Sequence, residues 1–427
     1  MVLSASVPET GSNKLLPPSQ DPWYTAPPDF EASAPGNVLR VRAVSDGPAL
    51  YNNASAAFHI LYRTTGSRYQ STWAVTSLLI PKKPYTSPSG SHALLSYQIP
   101  YNSPNVDYGP SYHIFQPAPA NSFGIPSNQD TIDKMLGRGW FVTVPDFEGP
   151  RAAFSATVQA GHATLDGIRA VLSLCGNSAF LLLPASADKF RYAMWGYSGG
   201  SLASAKAAEL QVQYAPELLR GFAGAALGGV VSDIGSMFAA TNKTPLMGNL
   251  VLVLLGVMNE HPEVDAHLRS RLKPDDAGPQ SAAAFLKGRD MDSMLAFPAY
   301  AGQDVYGFFV GGKADIEDAE IMRRIRKVEW TLGFHGTPEI PLFVYKAVGD
   351  EFTPIADTDE HVAQFKRFGG PILYERNTVG NHMSEILNGQ DRALEWLSGV
   401  LSGSQGTAQQ GVEIRDVAVD VSAPPTV

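Results

Sequence analysis

The sequence predicts an α/β protein, a mostly parallel sheet covered by helices on both faces and carrying a mostly helical insertion. Three observations predict it. From about residue 92 onward, apolar strand-like runs alternate with helical patterns, the rhythm of parallel strands joined by helical crossovers. Between about residues 232 and 330 the rhythm stops, and the patterns are mainly helical with no clear strand. It resumes at Ile340 and runs to about residue 401.

Bulk properties agree with a large folded chain. Its 427 residues suit one large domain with an insertion. Apolar residues at 44% and charged residues at 17% can bury a sizeable core. A formal charge of −9 without a basic cluster argues against a nucleic-acid partner. The longest strongly apolar run, LVLVLLGVM at 250–258, falls short of the roughly 20 residues that span a bilayer, so no transmembrane segment is expected. The stretch from Met1 to Lys14 lacks a basic region followed by an apolar one. The expectation is a secreted chain whose signal has been removed, with an intracellular protein as the alternative. Cys175 is the lone cysteine, so neither an intrachain disulfide nor a cysteine metal cluster can form. Asn53-Ala54-Ser55 and Asn242-Lys243-Thr244 match the N-glycosylation acceptor.

Taken in order, residues 1–36 are rich in Pro, Ser and Ala and read as an extended arm over the surface. The runs at 38–44, 57–64 and 72–81 carry β-branched and aromatic residues in partial alternation, which predicts an antiparallel opening to the sheet. HALLSYQIP at 92–100 is a continuous apolar run, as a buried strand would be, and GWFVTVPDFEGP at 139–150 is a strand ending in a polar loop. GHATLDGIRAVLSL at 161–174 has helical spacing. KFRYAMWGYS reads as a strand, followed by a small-residue helix, and LRGFAGAALGG at 219–229 as the next strand. In the insertion, DIEDAEIMRRIRKVEW at 315–330 is the clearest helix. Then come a strand in IPLFVYKAVGDEFTP, a helix at 357–368, a strand in PILYERNTVGNH and a helix at about 384–401. The tail, 403–427, opens as a flexible linker, and its VEIRDVAVDV either adds an edge strand or stays mobile.

The chemistry gathers around GYSGG at 196–200. A strand before Ser198 and a helix after it make the strand–turn–helix context of a nucleophile elbow. The flanking glycines relieve crowding on that turn. The Gly199 N–H, at a helix N-terminus, can stabilise an oxyanion. A serine nucleophile needs a base, and the base an orienting acid, in the chain order Ser, Asp or Glu, His. Asp350 follows an apolar strand and Gly349, and is the candidate acid. Glu351 is its nearest rival but is expected to point the other way. Asp357 and Asp359 read as a helix N-cap and a solvated charge. His382, after the last strand and the Gly380-Asn381 turn, is the candidate base. His361 reads as a surface helix residue, and His261 and His267 lie in the insertion. The second oxyanion donor belongs in the loop SYQIPYNSPN, where Asn102 or a nearby backbone N–H can serve, although an Asn-Ser-Pro turn is nearly as good a reading. No H-E-x-x-H or strand-linked G-x-G-x-x-G occurs, and GFFVGGK lacks P-loop spacing, so no metal or cofactor is expected.

At these residues the chain resembles the fungal secretory lipase family. Beyond GYSGG, GDEFTP and GNHMSEI in that order, the resemblance is carried by DPWYTAPPDFEASAPGNVLRVRAV, LLSYQIPYNSPNVDYGPSY and VPDFEGPRAAFSATVQAGHATLDGIRAV. It implies an α/β-hydrolase core over 37–230 and 331–402, with a mostly helical cap at 231–330. It implies a triad of Ser198, Asp350 and His382, with Gly199 and the position of Asn102 forming the oxyanion hole. A yeast member has Asp where this sequence has Asn102, and an amide donates without needing protonation. The family's expected disulfide cysteines are missing, and the tail does not look like its usual flap.

The implied activity is carboxylic-ester hydrolysis by acyl transfer, with small-molecule ester or lipid substrates, either acylglycerols or acetyl esters of fungal metabolites such as trichothecenes. NLVLVLLGVM is expected either to line an acyl pocket or contact a lipid interface, or to be a buried cap helix. The rival readings are a peptidase or amidase on the same core, and a binding protein that has lost turnover.

Overall fold

The computed structural model describes residues 15–117, 127–404 and 411–421. Its centre is a ten-stranded sheet in the order β1-β2-β3-β5-β4-β6-β7-β8-β9-β10. The strands are β1 (Val38–Ala43), β2 (Ala54–Thr65), β3 (Ser71–Pro81), β4 (His92–Gln98), β5 (Phe141–Pro145), β6 (Phe190–Tyr197), β7 (Phe222–Gly228), β8 (Leu342–Ala347), β9 (Ile372–Asn377) and β10 (Val412–Val417). The pairs β1/β2, β2/β3 and β3/β5 are antiparallel, and every pair from β5/β4 to β9/β10 is parallel. This is an α/β-hydrolase fold.

The period-2 geometry of a strand explains why its central members are apolar throughout. In β6, Tyr192 and Met194 join the core on one face, while Ala193, Trp195 and Tyr197 join the core on the other. Helices Thr157–Ser173 and Gly199–Tyr214 cover the first face, and Asn128–Gly137 and His382–Ser402 the second. Small residues allow the first pair to pack closely: a Cβ on Gly161 would lie 3.0 Å from the Ala207 nitrogen. The chain leaves β4 for β5 on one side and then crosses to β6 on the other. Beyond the carboxyl ends of strands at such a reversal, an α/β sheet leaves a crevice.

Between β7 and β8 the chain is helical, with its own apolar cluster built around Gly248–Glu260. The isolated bridge Asp233–Thr331 joins the two ends of this excursion. One expectation for it needs correction. Residues 315–330 are not a continuous helix, because Ala319 is extended (φ −62°, ψ 131°) and separates a π turn, Ala314–Asp318, from helix Glu320–Ile325. A second π turn follows at Arg326–Trp330. Tertiary contacts override the helical pattern here. Asp315 is held by Arg271 and by the Gly311 N–H. Buried Glu329 accepts from the Val158 N–H and pairs with His261.

The described segments nearest the two ends are fastened more firmly than the sequence suggests. Among the described arm residues, three short 3-10 turns replace a simple extended run. Trp23 is buried against Leu61 and Val75, with the Arg42 guanidinium 4.3 Å from its ring centre. The arm's first fourteen residues and linker residues 405–410 lie outside the described residues. The tail does add an edge strand, β10, and Asn377 clamps the chain beyond it through both the N–H and the C=O of Val419.

Both glycosylation tripeptides are engaged within the fold. Asn53 donates to Asp133 and Asn242 to Asp304. No helix among the described residues is long and apolar enough to cross a membrane.

Candidate active site

Ser198 sits between the end of β6 and the start of helix Gly199–Tyr214, with φ 52° and ψ −120°. A non-glycine residue at positive φ is strained and must be held in place by its surroundings. The glycines two residues to either side are required by close backbone approach. A Cβ on Gly196 would lie 2.2 Å from the Gly200 oxygen, and one on Gly200 1.9 Å from the Gln98 oxygen. The turn thrusts Ser198 into the crevice at the sheet's reversal.

The loops after β8 and β9 bring two further groups to it. His382 Nε2 lies 2.9 Å from Ser198 Oγ, and His382 Nδ1 lies 2.7 Å from Asp350 Oδ2. His382 is the first residue of the last long helix rather than a loop residue, with Asn381 as N-cap and Ser384 closing a capping box. Its carbonyl accepts from the Tyr197 hydroxyl at 2.6 Å, and its ring lies 4.6 Å from that of Phe352.

Asp350 has every acceptor position engaged. Oδ1 accepts from the Phe352 and Thr353 N–H groups, and Oδ2 meets both His382 and Lys346 Nζ, the latter at 2.9 Å. Burial alone would raise the Asp350 carboxyl, but His382 and Lys346 outweigh it and hold the group below the ordinary carboxylate range. Lys346 is fully buried in β8 and also donates to the Val230 carbonyl and the Thr353 hydroxyl. Burial lowers its pKa, and the Asp350 charge opposes that.

The candidate oxyanion residues also come together. Asn102, at φ 44°, follows β4 and packs its carboxamide against Gly199. A Cβ on Gly199 would lie 1.9 Å from Asn102 Oδ1, so any larger residue there would displace the carboxamide. Asn102 Oδ1 is buried without a hydrogen-bond partner. The Gly199 N–H, first in its helix, is left free by the helical ladder.

Ser198, His382 and Asn102 line a cavity of about 350 Å³. Ile99, Ile114, Phe297 and Phe352 supply apolar walls, and Tyr108 and His113 stack at 5.6 Å along another side. Of NLVLVLLGVM, only Asn249 lines this cavity among the described residues, while the residues from Leu250 to Met258 are packed inside the helical segment between β7 and β8.

Four sequence expectations are corrected here. Glu351 does not point away, because its Oε2 accepts from the His382 N–H at 2.7 Å and fixes the start of that helix. Asp357 is not an N-cap, since Pro354 holds that place. Asp359 is paired with Arg376 and accepts from the Tyr374 hydroxyl rather than standing alone in solvent. His361 is packed against Phe365 and the sheet, and burial together with Lys206 lowers its pKa to about 3. His261 is bound to Glu329 and His267 to the Asp315 carbonyl. Lys346 was not anticipated, although a lysine within the apolar run LFVYKA is a visible signal.

The profile of the secretory lipase family matches residues 115–409. The chain belongs to the secretory lipase family. A curated relative from Stachybotrys chartarum, "Probable trichothecene esterase SAT6", is 43% identical over 409 residues, covering 95% of this chain and 81% of that protein. The "Trichothecene C-3 esterase" of Fusarium sporotrichioides is 41% identical over 416 residues, covering 96% and 90%. Among solved structures, Candida antarctica lipase A in its closed state superposes with a TM-score of 0.80 at 26% identity, covering 96% of this chain and 92% of that one. This member of the family is a carboxylic-ester hydrolase. No group of metal-ligating side chains occurs among the described residues.

Proposed function

We propose that this secretory lipase hydrolyses carboxylic esters by acyl transfer to Ser198, and that its substrates are short-acyl esters of compact, oxygenated alcohols of the trichothecene kind. The hydrogen-bonded series Ser198–His382–Asp350 carries the mechanistic part. Ser198 Oγ attacks the ester carbonyl as His382 Nε2 takes its proton. Asp350 holds the ring with Nδ1 protonated and offsets the charge that forms on it. The Gly199 N–H, with Asn102 beside it, binds the tetrahedral oxyanion. His382 then protonates the leaving alcohol, and water attacks the acyl-enzyme by the same route in reverse.

The substrate part rests on the trichothecene esterases among the relatives and on the cavity. Its volume of about 350 Å³ lies at the small end of ligand pockets. Acylglycerols are the second reading, favoured by Met294 and Leu295, each 51% exposed on the cap, with Met294 also lining the cavity. We place the cap at 231–330, because its ends meet at the Asp233–Thr331 bridge, and we infer secretion from the family.

The test is a panel of esters from acetyl to oleoyl that includes an acetylated trichothecene, run on the wild type and on Ser198→Ala. The expected outcome is preference for the acetylated terpenoid, a loss of about 10³-fold or more in the variant, and fluorophosphonate labelling only of the wild type. Preference for long-chain glycerides would replace the substrate assignment with the lipase reading. Retention of most activity by Ser198→Ala would remove the mechanism.

A further inference from the structure

The cap helix Gly248–Glu260 presents an anomaly. From Leu250 to Met258 every residue is apolar or glycine and buried, yet Asn249 at its start carries a carboxamide into the same buried environment at 4% exposure. A polar amide in such a place needs a reason, because an unpaired buried donor is costly.

Its two ends are treated differently. Asn249 Oδ1 accepts from the Ser293 hydroxyl at 3.0 Å, which tethers that end of the amide. No described residue accepts from Nδ2, and that nitrogen is not among the sealed, unpartnered atoms of the protein. Asn249 and Ser293 both line the cavity that holds Ser198 and His382. The free amine therefore opens onto the cavity, from the cap side. The core supplies the reacting groups from below. Ser293 is itself fixed, as the first residue of helix Ser293–Tyr300, which Asp292 caps.

We propose that Asn249, oriented by Ser293, is a specificity-determining residue that donates a hydrogen bond to an oxygen on the alcohol portion of the ester. The cavity thereby favours alcohols bearing a hydroxyl, ether or ring oxygen over hydrocarbon alcohols of similar size. A site built to hydrogen-bond a substrate oxygen rejects the analogue lacking it, because the donor is then buried unpaired. The proposal rests on the ester-hydrolase reading above and adds to it the group that reads the alcohol.

The test compares two terpenoid acetates, an acetylated trichothecene and bornyl acetate, whose alcohol has no second oxygen. Asn249→Leu, similar in size and suited to its neighbours, is expected to lower kcat/KM on the trichothecene ester about tenfold more than on bornyl acetate, chiefly through KM. Ser293→Ala, which frees the amide to rotate, is expected to shift the same ratio in the same direction by less. In a Ser198→Ala background, calorimetry is expected to show about tenfold weaker binding of the deacetylated trichothecene alcohol after Asn249→Leu, equivalent to about 1.4 kcal/mol. Equal losses on both esters, or an unchanged ratio and Kd, would overturn the proposal. Failure of the wild type to hydrolyse either ester or to be labelled at Ser198 would count against the hydrolase reading, while the calorimetric comparison still decides on Asn249.

Discussion

Lys346 Nζ and His382 Nδ1 converge on one oxygen of Asp350, at 2.9 Å and 2.7 Å. The carboxylate bonded to His382 is thus itself held by a fully buried cation four residues earlier in the chain. Two backbone N–H groups fix its other oxygen, so the carboxylate has one orientation and a strong preference for the charged form.

Lys346→Met removes that charge while keeping the length of the side chain. It leaves Asp350 buried with a single cationic or hydrogen-bonding side-chain partner, and breaking such a pair costs about 3–5 kcal/mol. At a folding-competent temperature the expected loss in kcat is about 10–100-fold, as for groups that orient a catalytic ligand from behind. Asp350, with its pKa depressed, contributes stability above its unfolded value of about 3.9 and loses it as pH falls through the folded value. Without Lys346 the carboxyl titrates higher, so the loss of stability on acidification sets in at a higher pH. Urea unfolding across the acid range checks this, and an unshifted onset would show that Lys346 does not hold Asp350 in its charged form.

The elbow makes a steric prediction. Gly200→Ala would bring a Cβ to 1.9 Å from the Gln98 oxygen, which is backbone and cannot swing aside. The expected cost is about 3 kcal/mol or more, well above an ordinary point mutation. Gly403→Ala is the control, since a Cβ there meets nothing within 4 Å, although its φ of 70° still carries the left-handed penalty of about 1 kcal/mol. Urea unfolding of both variants measures the difference.

A second carboxyl gives stability a pH dependence of the opposite sign. Asp146, beyond β5, accepts from the Ser111 N–H at 2.7 Å and is bonded to the Ser111 hydroxyl, which meets the Tyr24 hydroxyl at 2.9 Å. Burial pushes the Asp146 carboxyl up to about 7, against the pull of the Ser111 bonds. Its folded value therefore lies above its unfolded one. The associated stability is complete below about pH 4 and is lost as pH rises through about 7, by up to about 4 kcal/mol. Asp146→Asn removes the ionisation. Relative to the wild type, the variant is expected to gain stability progressively from pH 4.5 to 8, as read by urea unfolding across that range. A constant difference would show that folding does not raise the Asp146 carboxyl.

Ser198, Asp350 and His382, which the fold brings together, were legible as candidates in the sequence because each has a local signature. Glycines at 196 and 200 answer a steric demand made within one turn, and Asp350 and His382 follow recognisable strands. Lys346 was not read, and Glu351 was expected to point away, because their partners come from elsewhere. Lys346 meets the Val230 carbonyl across the sheet, and Glu351 meets the backbone N–H of His382 at the start of the last helix. The segment 315–330 misled for the same reason: its apolar spacing is helical, but the contacts of Asp315 and Glu329 with distant parts of the chain divide it.

By itself, then, the sequence determined the order of strands and helices, the helical excursion between β7 and β8, and the residues gathered around Ser198. Those features depend on periodicity, turn sterics and chain order, which act over a few residues. Tertiary structure alone decided the shape of the cavity, the engagement of Asp350 by Lys346, and the presentation of Asn249 by Ser293, residues 44 positions apart. Each is a meeting of side chains from separate elements in a dry interior, where an unpaired polar group is costly and only the packed fold can provide its partner.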